Sequence, residues 1–219
     1  MSTTAHAPTA SADLAFRVEG AAPMDYAAAP TLVFHLSVES LTGHPIRSVL
    51  LDAQIQIAAR LRSYDADEQQ RLQDLFGTPD RWRGTLRTIP WIRTTLVVPP
   101  FTGSTSADLA IPCTYDLEVT AAGYLSALED GEIPLELLFS GSVFYAEPDG
   151  RLQMSRIAWT KEAEYALPVR VWRETMDRHF PGSAWLRLSR ESYDRLRAYR
   201  ARNALLSWDQ AVDSLLEDG

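Results

Sequence analysis

The chain has 219 residues, 46% of them hydrophobic and 23% charged; this is the composition of a globular protein with room for a sizeable core, and it excludes wholesale disorder. A formal net charge of −8 sets the surface against a phosphate backbone, whose binding needs basic residues. The single cysteine, Cys113, excludes an intramolecular disulfide framework. No apolar stretch approaches the roughly 20 residues of a membrane-spanning helix, so a cytoplasmic protein without membrane insertion is expected.

Residues 1–11, rich in Ala, Thr and Ser, are expected to form a mobile tail, and Met1 to Ala12 lack the basic and apolar regions of a secretory leader. Leu14, Phe16 and Val18 then alternate with polar neighbours, as a first strand does. A loop rich in Ala and Pro leads to a second alternating set, Leu32, Phe34, Leu36 and Val38, which Gly43, His44 and Pro45 close as a turn. In the next segment Leu51, Ala53, Ile55, Ile57, Ala59 and Leu61 point one way, and Asp52, Gln54, Gln56, Arg60 and Arg62 the other. That is the pattern of a half-buried antiparallel strand.

Asp65 can cap a short helix, with Glu68 three residues on as in a capping box, and Gly77 and Pro79 stop it. Leu72, Leu75 and Phe76 form its buried stripe. Strands are predicted over 91–98, 106–111 and 114–119, with a short helix around Tyr124 to Leu128. Ile133, Leu135, Leu137, Phe139, Val143 and Tyr145 give a long alternating run, interrupted by Gly141 as a bulge. Pro148-Asp149-Gly150 turns it back into a strand from Leu152. After Lys161 the period changes towards 3.6. Pro168 can open one helix, Ser189 a second, and Ser207 with Gln210 a third. The predicted fold is α+β: a mainly antiparallel β-sandwich-like body over 12–160, followed by a helical segment over 161–219 packed on that body.

Chemistry-bearing residues are dispersed along this pattern. The histidines are His6, His35, His44 and His179, and none stands at a spacing that recurs in zinc sites. No catalytic residue, metal ligand or cofactor is therefore assigned. Cys113 fits a small buried apolar residue, since a reactive thiol needs a neighbouring base or cation. The alternative function is a small-ligand-binding protein or enzyme whose site assembles from distant residues: Cys113, Asp116, His35 and the Gly103 loop. Six arginines between Arg187 and Arg202 are a local exception to the acidic balance, but around a helix they spread over several faces instead of forming a nucleic-acid-binding stripe. Lys161 is the sole lysine, which fits the coding bias of a GC-rich genome.

One segment points to a partner. Trp82 and Trp91 stand among Arg81, Arg83 and Arg93, and arginine and aromatic side chains are what protein interfaces enrich. Stacking of Arg on Trp within one fold is the competing explanation. The expected function is thus a non-catalytic accessory or protein-interaction protein, with Arg81, Trp82, Arg83, Trp91 and Arg93 as its partner-binding residues.

Several motifs together resemble a family of uncharacterised, mainly actinobacterial proteins of this length. They are Leu51-Asp52-Ala53-Gln54-Ile55-Gln56-Ile57, Val98-Pro99-Pro100-Phe101-Thr102-Gly103-Ser104-Thr105, Ile111-Pro112-Cys113-Thr114-Tyr115-Asp116 and Phe180-Pro181-Gly182-Ser183-Ala184-Trp185-Leu186. Shorter matches at Leu75-Phe76-Gly77, Leu138-Phe139-Ser140-Gly141 and Trp172-Arg173-Glu174 extend the resemblance over nearly the whole chain. It brings no catalytic residues with it. It implies an accessory or assembly role beside oxygen-tolerant nickel–iron hydrogenases, with a hydrogenase subunit or maturation factor as the partner.

Overall fold

The alternating segments pair into two antiparallel sheets, seen in a computed structural model that describes residues 11–113, 119–183 and 188–217. The strands are β1 (Leu14–Pro23), β2 (Thr31–Ser40), β3 (Ile46–Ile57), β4 (Ile89–Val98), β5 (Ser104–Pro112), β6 (Glu132–Ala146), β7 (Leu152–Arg156) and β8 (Glu162–Pro168). A three-stranded sheet runs β1-β2-β5; a five-stranded sheet runs β4-β3-β6-β7, with β8 also on β6. Short helices α1 (Ala66–Arg71), α2 (Gln73–Phe76) and α3 (Trp82–Thr85) lie between β3 and β4, and α4 (Val119–Ala127) precedes β6. Helices α5 (Val169–Asp177), α6 (Arg190–Arg202) and α7 (Trp208–Glu217) close the chain. The fold is α+β with a sandwich-like body. The chain divides into two compact units, Met1–Gly182 and Ser183–Gly219.

Period-two apolar faces make the core of the first unit. Leu32, Phe34, Leu36 and Val38 of β2 are wholly buried, as are Val49, Leu51, Ala53, Ile55 and Ile57 of β3. Each valine, leucine, isoleucine or phenylalanine among them contributes about 1.5–3 kcal/mol on leaving water. Aromatic rings tie one sheet to the other: Phe16 stacks on Phe139 at 4.5 Å, and Phe34 meets Trp91 edge-on at 6.2 Å. Trp91 reaches that position through a bulge. Ile55 pairs with Ile92 and Gln56 with Pro90, so Trp91 is the extra residue of β4, and its side chain turns into the core.

Gly141 has a different role from the bulge expected of it. Its register with Leu51 is unbroken, and β6 changes neighbours around it: residues Glu132 to Leu138 pair with β8, and Ser142 to Ala146 with β7. Its φ of 132° lies in the glycine region, and a Cβ there would run into the Leu50 carbonyl oxygen.

Three further boundaries depart from expectation. The strand predicted to reach Leu61 stops at Ile57, and Ala59–Leu61 is a 3-10 turn. The Ala58 N–H still donates to the Pro134 carbonyl, but Pro134 has no N–H to return, so the ladder ends there. The single helix predicted after Asp65 is two, meeting at Leu72 in the bridge region (φ −89°, ψ 0°). The span expected to be helical from residue 161 opens instead with β8, and helix begins at Val169 after Pro168, which lacks the N–H a helix leaves unpaired. Most of the predicted tail and the segment 114–118 of a predicted strand lie outside the described residues.

Candidate partner-binding surface

The arginine–tryptophan segment does not converge. Trp82 is 9% exposed; its indole N–H donates to the Gly77 carbonyl at 2.8 Å, and its ring meets Tyr64 and Phe76 edge-on. Trp91 is 5% exposed and packs between Phe34 and Trp172. Both indoles are core anchors, so the expectation that they bind a partner is corrected: their apolar area is already spent inside the fold. Arg81 and Arg83 are exposed on the short helical turns around Trp82. Arg93 is exposed on the outer face of β4, where Nε and Nη2 donate to the two carboxylate oxygens of Asp52 at 2.7 and 2.8 Å. That bidentate pair raises the guanidinium pKa, first through the hydrogen bond.

Nor do the described residues of the alternative site, Cys113, His35 and the Gly103 loop, meet. Cys113 is 4% exposed with its thiol directed to the Ile111 carbonyl, and burial pushes its pKa up to about 12. A thiol so placed is no nucleophile near neutral pH. The nine extended residues of β5 separate Cys113 from Gly103, a span of about 30 Å. His35 stands on the outer face of β2, half-exposed, with Nδ1 2.7 Å from Asp108 Oδ1 of the paired strand. His179 holds main chain, its ring nitrogens 2.9 Å from the Ala27 carbonyl and 3.3 Å from that of Thr175. Asp116, His6, Trp185 and Arg187 lie outside the described residues.

A buried polar network takes the place of the expected capping box. Asp65 does cap α1, accepting from the Glu68 N–H at 2.8 Å. Glu68 does not reach back. Its side chain, 4% exposed, takes a 2.6 Å ion pair from Arg62 and a 3.2 Å hydrogen bond from the Glu129 N–H. Arg62 also donates to the carbonyls of Asp130 and Glu132 at 2.6 and 2.7 Å, while its buried Nε has no partner among the described residues. Beside it the Tyr64 and Tyr124 hydroxyls share a 2.8 Å hydrogen bond, and burial raises both phenol pKa values. No functional motif marks these residues in the sequence; the only local signal was that Glu68 can cap.

The outer face of the five-stranded sheet carries an apolar band. Val97 of β4 pairs with Leu50 of β3, Leu50 with Ser142 of β6, Phe144 with Met154 of β7, and Ala146 with Leu152. Alternation puts Val97, Leu50, Phe144, Met154 and Leu152 on the side away from the core. Val97, Leu50, Met154 and Leu152 are between 49% and 64% exposed. Trp159, in the loop between β7 and β8, is 89% exposed. That loop runs beside β6, where Ile157 N–H donates to Gly141 and Phe139 N–H to Lys161. Among the described residues Trp159, and neither Trp82 nor Trp91, is the exposed tryptophan.

In the second unit, α6 and α7 form a hairpin. Ser189 and Ser207 cap them as predicted, accepting from Ser192 and Gln210 N–H groups. Tyr199 bonds Ser214 at 2.7 Å, Tyr193 lies 5.5 Å from Trp208, and the Arg200 guanidinium sits 4.0 Å over the Trp208 ring. Five arginines of α6 (Arg190, Arg195, Arg197, Arg200, Arg202) oppose only Glu191 and Asp194, whereas α7 has Asp209, Asp213, Glu217 and no basic residue. Among the described residues no helix is long and apolar enough to cross a membrane.

Comparison with known proteins adds a family and little else. A family of unknown function, DUF6084, matches residues 11–219, and the chain belongs to it. No match was found among curated proteins. Among solved structures the chain is similar to a late embryogenesis abundant protein, at 10% identity over 71% of each chain with a TM-score of 0.31. It is also similar to the ApaA protein of Bordetella pertussis, at 12% identity over 73% of this chain and 96% of that one, with a TM-score of 0.24. A β-glucosidase from Kluyveromyces marxianus aligns at 7% identity over 71% of this chain and 15% of its own length, with a TM-score of 0.28.

Proposed function

We propose that this member of the family is a non-catalytic accessory protein of the cytoplasm that binds a protein partner through the outer face of its five-stranded sheet. The observation that carries this is the apolar band across four adjacent strands. Contiguous exposed apolar surface on a sheet otherwise polar outside marks a site of association. Trp159 supplies the kind of large aromatic anchor on which interface energy concentrates. Arg93, on the same face, gives the polar rim a fixed, paired charge, and Arg81 and Arg83 stay exposed to a partner. A hydrogenase subunit or maturation factor is the partner that the family resemblance brings to this proposal.

The test is capture of the tagged chain with its partner from the native host. Leu50→Asp, Met154→Asp and Trp159→Ala are expected to reduce recovery of the partner at least about tenfold. All three side chains are exposed, so the thermal unfolding midpoint stays near that of the wild type. Trp82→Phe, a core change, leaves capture intact in the folded fraction. Undiminished capture by all three surface variants overturns the proposed face, and a partner unrelated to hydrogenases overturns the proposed identity alone.

A further inference from the structure

We propose that the α6–α7 hairpin is a self-association surface, in which α7 of a second copy lies in the groove beside α6 and the exchange is mutual about a two-fold axis. The apolar stripe of α7 is wider than α6 can cover. At 100° per residue, Trp208, Ala211, Leu215, Val212 and Leu216 span roughly 140° of the helix, yet of these only Ala211 is fully buried. Val212 and Leu216, on the far edge of the stripe, are 40% and 75% exposed.

On the other helix lies a place for that edge. An open groove of about 590 Å³ is floored by Leu188, Leu196, Tyr199 and Leu215 and flanked by Arg195 and Arg202. The occupant it fits is a short helix with an apolar edge bordered by carboxylates. Asp209 and Asp213 border the Val212–Leu216 edge of α7 on the helical wheel, so the chain carries such an occupant itself. Among the described residues no ion pair joins α6 to α7, so the opposite charges of the two helices are not consumed within one hairpin. A segment below about 40 residues rarely sustains a core alone and commonly gains one by oligomerising; Ser183–Gly219 is such a segment. A two-fold exchange pairs each basic groove with an acidic edge twice over.

Sedimentation velocity of the full chain from about 1 μM to about 100 μM is expected to show a species of twice the 24.5 kDa chain mass. Arg195→Glu with Arg202→Glu places like charges across the contact, as does Asp209→Arg with Asp213→Arg. Each double variant weakens the dimer roughly tenfold or more. An equimolar mixture of the two restores it, because each altered groove then meets an altered helix of opposite sign. Leu216→Asp, on an exposed side chain, weakens the dimer without loss of helical circular dichroism. Leu50→Asp, on the sheet face, leaves it unchanged. A chain that stays monomeric throughout, or a dimer that both charge variants leave intact, refutes the proposal.

Discussion

Replacing Glu68 by Gln tests whether the network under α1 is as dry as its geometry requires. The substitution keeps volume and one hydrogen-bonding oxygen while deleting the countercharge that pairs with Arg62 among the described residues. The Arg62 side chain is 9% exposed, its Nε lacks a partner among the described residues, and it otherwise donates to the main-chain oxygens of Asp130 and Glu132 and lies 5.8 Å from the Tyr64 ring. Removing one member of a buried pair leaves an uncompensated charge and costs about 3–5 kcal/mol. For a chain of this length that lowers the melting temperature by about 10 °C. Urea titration is the assay, and the midpoint should fall with the slope unchanged. The joint replacement Arg62→Met with Glu68→Leu removes both charges and should cost less than Glu68→Gln alone, since an apolar pair can substitute for a buried ionic one. Arg93→Ala breaks a pair of equally short bonds on the exposed sheet face and should leave stability near wild type, because exposed pairs are screened by water. A Glu68→Gln variant as stable as Arg93→Ala refutes the premise that burial, not bond length, sets the worth of these contacts.

Gly141→Ala should destabilise by about 3 kcal/mol or more, because it combines a disfavoured backbone conformation with a collision against the Leu50 carbonyl; a urea midpoint within error of wild type contradicts that geometry. Cys113 should resist a thiol reagent at pH 8 in the folded chain and react at once in denaturant. Its folded pKa, about 12, lies above the ordinary 9.0, so the unfolded thiol loses its proton first. The stability it contributes is whole below pH 9 and is lost as pH rises towards 12, at up to about 1.4 kcal/mol per pH unit. Tyr64 and Tyr124 add a loss of the same sign at the alkaline end. Cys113→Ala should therefore flatten, without abolishing, the fall in stability measured by urea titration across that range; an unchanged slope rules out a buried thiol.

The body was legible because its signal is repeated. Leu51, Ala53, Ile55 and Ile57 alternate with Asp52, Gln54 and Gln56, and a register error would expose all four apolar side chains at once. Caps were legible because they are local: Asp65, Ser189 and Ser207 each need only a main-chain N–H three residues on. The burial of Trp82 and Trp91 was not legible, because the cue at that segment is composition. Trp82 and Trp91 sit among arginines in sequence, yet a bulge and a turn carry the indoles inward while the arginines stay outside. Glu68 illustrates the same limit: spacing to Asp65 could be read, but its partners Arg62 and Glu129 meet it only when α1 and the segment before β6 are brought together.

The arginine bias of the chain has a structural consequence that composition alone does not reveal. Three guanidinium groups hold the main chain between α4 and β6: Arg71 donates to the Ala127 carbonyl, Arg173 to Leu128 through two nitrogens, and Arg62 to Asp130 and Glu132. A planar fork can bridge two carbonyl oxygens at fixed angles, which the single point charge of a lysine cannot do. The segment so held delivers the chain into β6, and β6 is the strand on which β3, β7 and β8 all pair. Along its length β6 is held in register by β3, from Ile46 opposite Tyr145 to Ile57 opposite Leu135, so the arginine contacts fix the entry to the strand and the ladder fixes the band. Glu68→Gln therefore acts where the chain enters β6, whereas Leu50→Asp and Met154→Asp act on the proposed interface itself; a fall in the urea midpoint without loss of partner capture by the folded fraction is the outcome expected of Glu68→Gln.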